Sequence, residues 1–448
     1  MKKYSFSVVS LFLFFVLGST PLLAADEVTK WNETATRIAN ESGLSGNPLF
    51  ESRVYAMTHA AIHDALNAIH RRSSPYALYL PVTPNASPQA AVATAAYLVL
   101  SDQFQRLTAF GFSAQQAALE MAYNDSLQMI PNGGRKTRGI FIGRLAAEAI
   151  LALRVADGWD TQTVLDFNYP QGTMPGQYKF TPPFNFAFLP QWGTVAPFVL
   201  RDATQFRPGP PYAVTSRRYA IDLNEVKRLG GNGSTTPNER TAEQTEIALF
   251  WVESSPLQWN RIARTVAAAE RLSLWENARL FGLLNFALAD GYIGSLDSKY
   301  HYNYWRPITA IREAATDGNP LTSADPTWTP LVDTPPVPDY DSGHSVEGGA
   351  AAQVLKQFFG TDRIRFRTCS TTMPAGQNCQ DASPVLRSYR SFSEAAEENG
   401  LSRILVGFHF RKAVNEGIEG GRKIGNRAVN HFLRPTHWWQ QVNEEGQN

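Results

Sequence analysis

Several things are scarce in this sequence, and each shortage closes off a class of protein. Cysteine occurs only twice in 448 residues, too few for a zinc cage. Neither sign of charge is in excess: 41 Lys and Arg stand against 40 Asp and Glu, a formal net charge of +1. That balance excludes the basic footprint of a nucleic-acid binder or of a protein held on an anionic membrane, so any anion site must be built locally by a few converging cations. Beyond the N-terminal leader no apolar run approaches the ~18 residues that a membrane span needs. Strand-like alternation is missing over any useful length, as are fixed-period repeats and low-complexity tracts. What is present is a globular composition, 43% hydrophobic and 18% charged, on a chain long enough for one large domain or two medium ones.

Residues 1–25 read as an export leader: Lys2 and Lys3, an apolar run from Val8 to Gly18, and the small-residue exit Leu23-Ala24-Ala25 before Asp26. The alternative is an uncleaved anchor. The mature chain is expected in the periplasm or secreted, with no stable membrane insertion. Cys369 and Cys379 flank a polar loop containing Pro374 and Gly376, and a disulfide closing that loop suits an oxidising compartment.

Helical spacing of apolar residues runs through Ser52 to Ile69, Pro88 to Leu107, Ala114 to Ile130 and Arg138 to Val155. From Asp157 to Tyr212 the pattern stops, and Pro, Gly and aromatic residues dominate; so long a loop is either functional or a wrap over the bundle surface. Helical patterning returns at Ser216 to Arg228, Asn238 to Trp251, Pro256 to Leu296, Gly343 to Phe359 and Ser391 to Phe432. The expected architecture is all-α. An N-terminal bundle with its aromatic loop (26–215) and a C-terminal catalytic four-helix bundle (216–448) share one core.

Three segments of the last third carry chemistry: Lys299 to Pro307 (KYHYNYWRP), Pro338 to His344 (PDYDSGH) and Ser402 to His409 (SRILVGFH). Together they hold what a tetrahedral oxyanion requires. Lys299, Arg306 and Arg403 supply cations, and an arginine fork grips two oxygens at once. Ser342 and Gly343 stand before an Ala-rich helical stretch, where free N–H groups and the helix dipole favour an anion. His344 and His409 add a ligand or nucleophile and an acid or base near neutral pH. Singly, each has a plainer reading: surface cations for Lys299 and Arg306, a turn and cap for Ser342 to His344, a salt bridge to Glu397 or Glu398 for Arg403, and a core histidine for His409.

In this order the three motifs, K-x6-R-P, S-G-H and S-R-x5-H, resemble those of the superfamily of vanadium-dependent haloperoxidases and type 2 phosphatidic acid phosphatases. The segments Pro256 to Arg264, Ala287 to Ile311 and Leu189 to Phe198 look like its soluble bacterial haloperoxidase-like branch. The resemblance implies vanadate as cofactor, bonded through a ring nitrogen of His409. Lys299, Arg306, Ser342, Gly343 and Arg403 would hold its oxygens. His344 would exchange a proton with the apical oxygen or leaving group. It implies hydrogen peroxide, a halide and a small organic acceptor as reaction partners, with Lys299 polarising the peroxide and hypohalous acid as product. Bromide or iodide is expected over chloride. The alternatives are a soluble acid phosphatase working through a phosphohistidine at His409, and a periplasmic oxyanion-binding protein without turnover.

Two positions depart from the family pattern. Asp341 replaces a proline and is read as a cap for the following helix. Ala413 replaces the aspartate expected to orient His409, leaving a backbone carbonyl as substitute; that loss leans toward the peroxidase. Val337 occupies a position that the resemblance connects with halide preference. Elsewhere, His59 and His63 have a metal-ligand spacing but read as core packing. His301 is a candidate neighbour of the site, Asp290 a buried carboxylate in want of a partner such as an active-site histidine, and His431 and His437 C-terminal packing residues.

Overall fold

The computed structural model describes residues 26–436; the leader expected at 1–25, and His437, lie outside the described residues. Thirteen α-helices occur among them: α1 (Glu27–Glu41), α2 (Pro48–Ile69), α3 (Pro88–Leu107), α4 (Gln116–Gln128), α5 (Gly134–Leu153), α6 (Arg217–Leu229), α7 (Ala242–Phe250), α8 (Ser255–Ala269), α9 (Leu274–Tyr302), α10 (Pro307–Arg312), α11 (Gly343–Phe358), α12 (Phe392–Leu405) and α13 (Arg411–His431). The strands are two small antiparallel pairs, β1 (Leu165–Asp166) with β2 (Ala187–Phe188), and β3 (Phe366–Thr368) with β4 (Arg387–Tyr389). No helix among the described residues is long and apolar enough to cross a membrane.

Helices α1 to α5 pack as the N-terminal bundle, and α9, α11, α12 and α13 form the C-terminal four-helix bundle. Helix α9 belongs to both: its flanks meet α2 on one side and α11 and α13 on the other. One continuous apolar cluster runs from Val28 to Leu433 through this shared helix.

Two long helical stretches expected from periodicity each divide in two. The stretch from Pro256 breaks at Arg271, whose φ is +56°, and α9 restarts on a capping box in which Ser273 and Glu276 satisfy each other's backbone N–H groups. The stretch from Ser391 breaks at Gly407, φ +89°, where a side chain would collide with the Gly230 carbonyl. The break puts His409 in the connection between α12 and α13 instead of on a helix. Helices α1 and α10, unforeseen by the apolar spacing, begin on an Asp26 cap and on Pro307 in the first turn.

The chain from Asp157 to Tyr212 contains no α-helix, yet both its ends are fastened by buried carboxylates. Asp157 accepts from Arg53 Nε and Arg154 Nε, both at 2.8 Å. Asp290 on α9 accepts the backbone N–H groups of Phe198, Val199 and Leu200 at 2.6–2.7 Å. The partner expected for Asp290 is therefore three amides, not a histidine. His59 and His63 are packing residues, bonded to Asn32 and to Asp64 and Ser73. His301 and His431 are exposed, so neither plays the part expected of it. Cys369 and Cys379 form the expected disulfide, Cα to Cα 5.2 Å.

Helices α11 and α13 touch at backbone distance. A Cβ on Gly421 would lie 2.0 Å from the Val346 carbonyl oxygen, and one on Gly349 2.2 Å from that of Ile418, whereas one on the neighbouring Gly420 would meet nothing within 4 Å. Gly421→Ala must push α11 away and is expected to cost on the order of 1–3 kcal/mol. Gly420→Ala is expected to be neutral or to stabilise by up to about 1 kcal/mol through the unfolded chain. Urea unfolding of the two single variants tests this; equal midpoints would sink the close-packing account.

Candidate active site

The three motifs meet at the base of a cavity of about 450 Å³. Lys299 comes from the last turn of α9, Arg306 from the turn into α10, Gly343 and His344 from the start of α11, Arg403 from the last turn of α12, and His409 from the loop after it. All six line the cavity. Ser342, the seventh expected residue, does not. It is fully buried, its hydroxyl accepts from Ser345 Oγ at 2.8 Å, and its N–H donates to the Ala413 carbonyl.

Lys299, Arg306 and Arg403 are each no more than 3% exposed, and each is held mainly by carbonyl oxygens. Lys299 Nζ donates to those of Pro338 and Asp339 at 3.0 Å and of Asp341 at 2.5 Å. Arg306 Nε donates to Val337 at 2.7 Å and Nη1 to Phe408 at 2.9 Å. Arg403 Nη2 donates to Trp251 at 2.6 Å, and its Nε to Ser402 Oγ. Glu398, considered as its salt-bridge partner, belongs to Arg387, and Glu397 faces Arg422.

Carbonyl dipoles orient these cations without neutralising them. Burial, then the Arg306 charge, pulls Lys299 down to about 7, and burial pulls Arg403 down to about 9. Three carbonyls on one ammonium oppose the fall at Lys299. Crowded, desolvated cations of this kind are stabilised by an anion arriving between them.

His409 is the group best placed to bond such an anion. Its Nδ1 lies 2.9 Å from Asp339 Oδ1 and its Nε2 2.9 Å from Arg306 Nη1. A guanidinium can only donate, so Nε2 presents its lone pair and Nδ1 carries the hydrogen. Burial, then Arg306, Lys299 and Arg403, holds the ring far below the usual histidine range and so neutral. A neutral imidazole backed by a carboxylate is the form in which histidine ligates metals. Asp339 thus fills the orienting role left open by Ala413. Residue 413 is a buried apolar contact whose carbonyl accepts from Ser342, not the substitute support for His409. The repeated acids of Asp339-Tyr340-Asp341 were the signal for it. The lean toward the peroxidase that rested on Ala413 falls with this finding.

Asp341 does not cap α11, which has no side-chain cap; its Oδ1 accepts from Ser295 Oγ at 2.7 Å. The first backbone bond of α11 runs from Val346 N to the Ser342 carbonyl, so the N–H groups of Gly343 and His344 have no helical acceptor. A Cβ on Gly343 would sit 4.0 Å from Lys299 Cε, occupying the space between the helix end and the lysine. His344 Nε2 donates to the Glu253 carbonyl at 3.2 Å, which leaves Nδ1 as its free lone pair. Burial, then Arg403, holds its pKa well below 6.5.

Above the base, the wall is apolar. Leu165, Phe184, Phe186 and Phe188 descend from the aromatic loop, facing Pro335, Pro336, Val337 and Phe408. The loop is held over the cavity where Tyr300 Oη donates to the Phe188 carbonyl and Phe188 N to that of Pro336.

Three buried cations, a helix N-terminus and a carboxylate-backed imidazole around one cavity of a mostly helical protein make the arrangement that an oxyanion site requires. Residues 279–437 match the family model of the second helical-bundle domain of vanadium chloroperoxidases. The vanadium chloroperoxidase of Curvularia inaequalis is 24% identical over 490 aligned positions, covering 85% of this chain and 78% of that protein. Among solved structures, the first bacterial vanadium-dependent iodoperoxidase superposes with a TM-score of 0.74 at 25% identity, over 91% of this chain and 97% of that one. A bacterial vanadium-dependent chloroperoxidase in its holo form gives 0.70 at 16% identity, over 94% and 98%. Residues 279–437 thus carry the second helical-bundle domain of the vanadium chloroperoxidase family, and the chain as a whole is similar to vanadium haloperoxidases.

Two outcomes follow for anion binding. Sulfate keeps the same charge across neutral pH, so its binding reports the protein's charge alone. Lys299 loses a proton through about 7, and Asp339, raised by burial to about 7, loses one in the same range. Both losses make the site less positive, so sulfate affinity is expected to fall between about pH 6 and about pH 8, less steeply in Lys299→Met. An affinity that rises with pH would overturn the assignment. For Asp339→Ala, orthovanadate affinity by calorimetry is expected to fall about 10- to 100-fold, against little change in Ala413→Ser.

Proposed function

We propose that the protein is a vanadate-dependent haloperoxidase, using hydrogen peroxide to oxidise bromide or iodide to hypohalous acid, which then halogenates a small organic acceptor. The observation that carries this reading is the pairing of the cation site with an oxidant-resistant wall. The chain has 10 Trp, 6 Met and 16 Tyr, yet no Trp, Met or Cys and a single Tyr are among the described residues lining the cavity. Phe, Pro, Leu and Val stand there instead, side chains that survive hypohalous acid. Catalysis of phosphate-ester hydrolysis gives no reason for such a selection.

The residues fit vanadate: His409 Nε2 would bond the vanadium, and Lys299, Arg306, Arg403 and the Gly343 N–H would hold its oxygens. When bound, vanadate supplies Lewis acidity that makes peroxide electrophilic, without change of its own oxidation state. Asp339 keeps the His409 lone pair aimed inward. His344, anchored through Nε2 to the Glu253 carbonyl, offers Nδ1 to take up or return a proton; an anion among the cations raises its proton affinity from the low value of the empty electrostatic field. Lys299 sets how strongly peroxide is polarised. Val337, in the cavity wall, is positioned to touch the halide.

A leader at 1–25 and the Cys369–Cys379 disulfide support a periplasmic or secreted location. The acid phosphatase remains the second reading, because the His409–Asp339 pair also suits a nucleophilic histidine. Orthovanadate separates the readings. Metal-stripped protein with hydrogen peroxide is expected to oxidise bromide and iodide only after orthovanadate is added, and His409→Ala to lose this. Phosphate-ester hydrolysis inhibited by vanadate, with no halide oxidation, would establish the phosphatase; neither activity, with oxyanion affinity retained in His344→Ala, would establish the binding protein.

A further inference from the structure

The single tyrosine in the cavity wall is Tyr292, on α9 two turns before Lys299. It is 4% exposed, so the cavity is its opening to solvent. Its ring edge faces the oxyanion site: Cε1 lies 3.7 Å from where a Cβ on Gly343 would stand, and that same point is 4.0 Å from Lys299 Cε. Cε1 is a carbon ortho to the hydroxyl, the position that a phenol offers to electrophilic halogen. The buried hydroxyl, which lies beside Ser255, activates the ring carbons ortho to it. Every other aromatic side chain in the wall is a phenylalanine or one of the two site histidines.

We infer that Tyr292 is a self-modification site, halogenated at Cε1 by the hypohalous acid formed beside it. The inference rests on the haloperoxidase reading. In the step, the ring carbon attacks the halogen of the hypohalous acid; the carbon–halogen bond forms as the halogen–oxygen bond breaks. The ring hydrogen leaves as a proton and joins the departing hydroxide as water, restoring the aromatic ring. No further oxidant is consumed. A halogen at Cε1 projects toward Gly343 and narrows the space for the oxyanion, so modification limits the number of turnovers that each molecule completes.

The test uses the full mature chain loaded with orthovanadate and turned over with bromide and hydrogen peroxide, with excess free methionine to consume hypobromous acid that escapes. Bromide oxidation is followed in the same tubes, and peptides are read by mass spectrometry. Exposed Tyr79, 73% accessible, reports the freely diffusing reagent. Bromine is expected on Tyr292 in proportion to turnovers while Tyr79 stays unmodified. Metal-stripped protein given reagent hypobromous acid in limiting amount is expected to show the reverse order, Tyr79 before Tyr292. In the turnover samples, orthovanadate affinity is expected to fall as bromination rises, and Tyr292→Phe to keep its affinity through the same exposure. Bromide oxidation with Tyr292 unmodified, or with Tyr79 modified equally despite methionine, overturns the inference and leaves the haloperoxidase reading standing. Absence of bromide oxidation removes the electrophile and overturns both.

Discussion

Three cations are buried together at the base of one cavity, and most of the surrounding architecture answers to that constraint. A buried cation needs partners, but a full complement of carboxylates would cancel the charge that an oxyanion is meant to meet. The chain resolves the conflict with carbonyl oxygens. Pro338, Asp339 and Asp341 hold Lys299, Val337 and Phe408 hold Arg306, and Trp251 holds Arg403. Carbonyls inside helices are committed to their own ladder, so those serving the cations must come from irregular backbone or helix ends. That is why the segment before α11 is extended and rich in proline, why α12 stops at Leu405, and why a mostly helical protein builds its site from its connections.

Irregular backbone is placed accurately only by rigid neighbours. The glycine contact between α11 and α13 fixes the N-terminus of α11, and with it the Gly343 amide. Helix α9 carries Lys299 and, two and a half turns earlier, Asp290, which gathers three amides at the end of the aromatic loop. One helix thereby positions a cation at the floor and fastens the chain that forms the roof. The buried Asp157, shared by Arg53 and Arg154, fastens the other end. A long loop without helices is held in this way as firmly as an element with its own hydrogen-bond ladder.

The motifs were legible because chemistry restricts residue type. Lys299, Arg306, Gly343, His344, Arg403 and His409 stand together as their spacing implied, and α3 has the bounds that its apolar pattern marks. What escaped reading has a common cause: side-chain direction and backbone breaks depend on contacts distant in sequence. Ser342 turns inward to Ser345, though a serine before a helix promises a donor. Asp341 faces Ser295 instead of capping. The support for His409 comes from Asp339, 70 residues upstream, while the family position at 413 went to packing. The breaks at Arg271 and Gly407 interrupt apolar periodicity that continues on both sides, so the period alone cannot reveal them, although Ser273-Leu-Trp-Glu276 spells a capping box.

The two histidines show how one set of cations yields two roles. Both rings are neutral for the same electrostatic reason, but their hydrogens sit on opposite nitrogens. Asp339 claims Nδ1 of His409 and leaves the lone pair on Nε2, where it accepts from Arg306 Nη1; the Glu253 carbonyl claims Nε2 of His344 and leaves the lone pair on Nδ1. The difference between a carboxylate and a carbonyl as partner matters. A carboxylate strengthens the ring as an electron donor, while burial and the neighbouring cations keep it unprotonated, which suits a permanent ligand. A carbonyl fixes orientation with little change in basicity, which leaves the ring responsive to the charge of whatever occupies the site. An oxyanion entering between the cations therefore raises the proton affinity of His344 more freely than that of His409, whose lone pair it engages. On the proposed reading, an acid-base role of His344 would switch on with occupancy, and proton transfer would be coupled to the presence of the anion by the field of the cations that hold it.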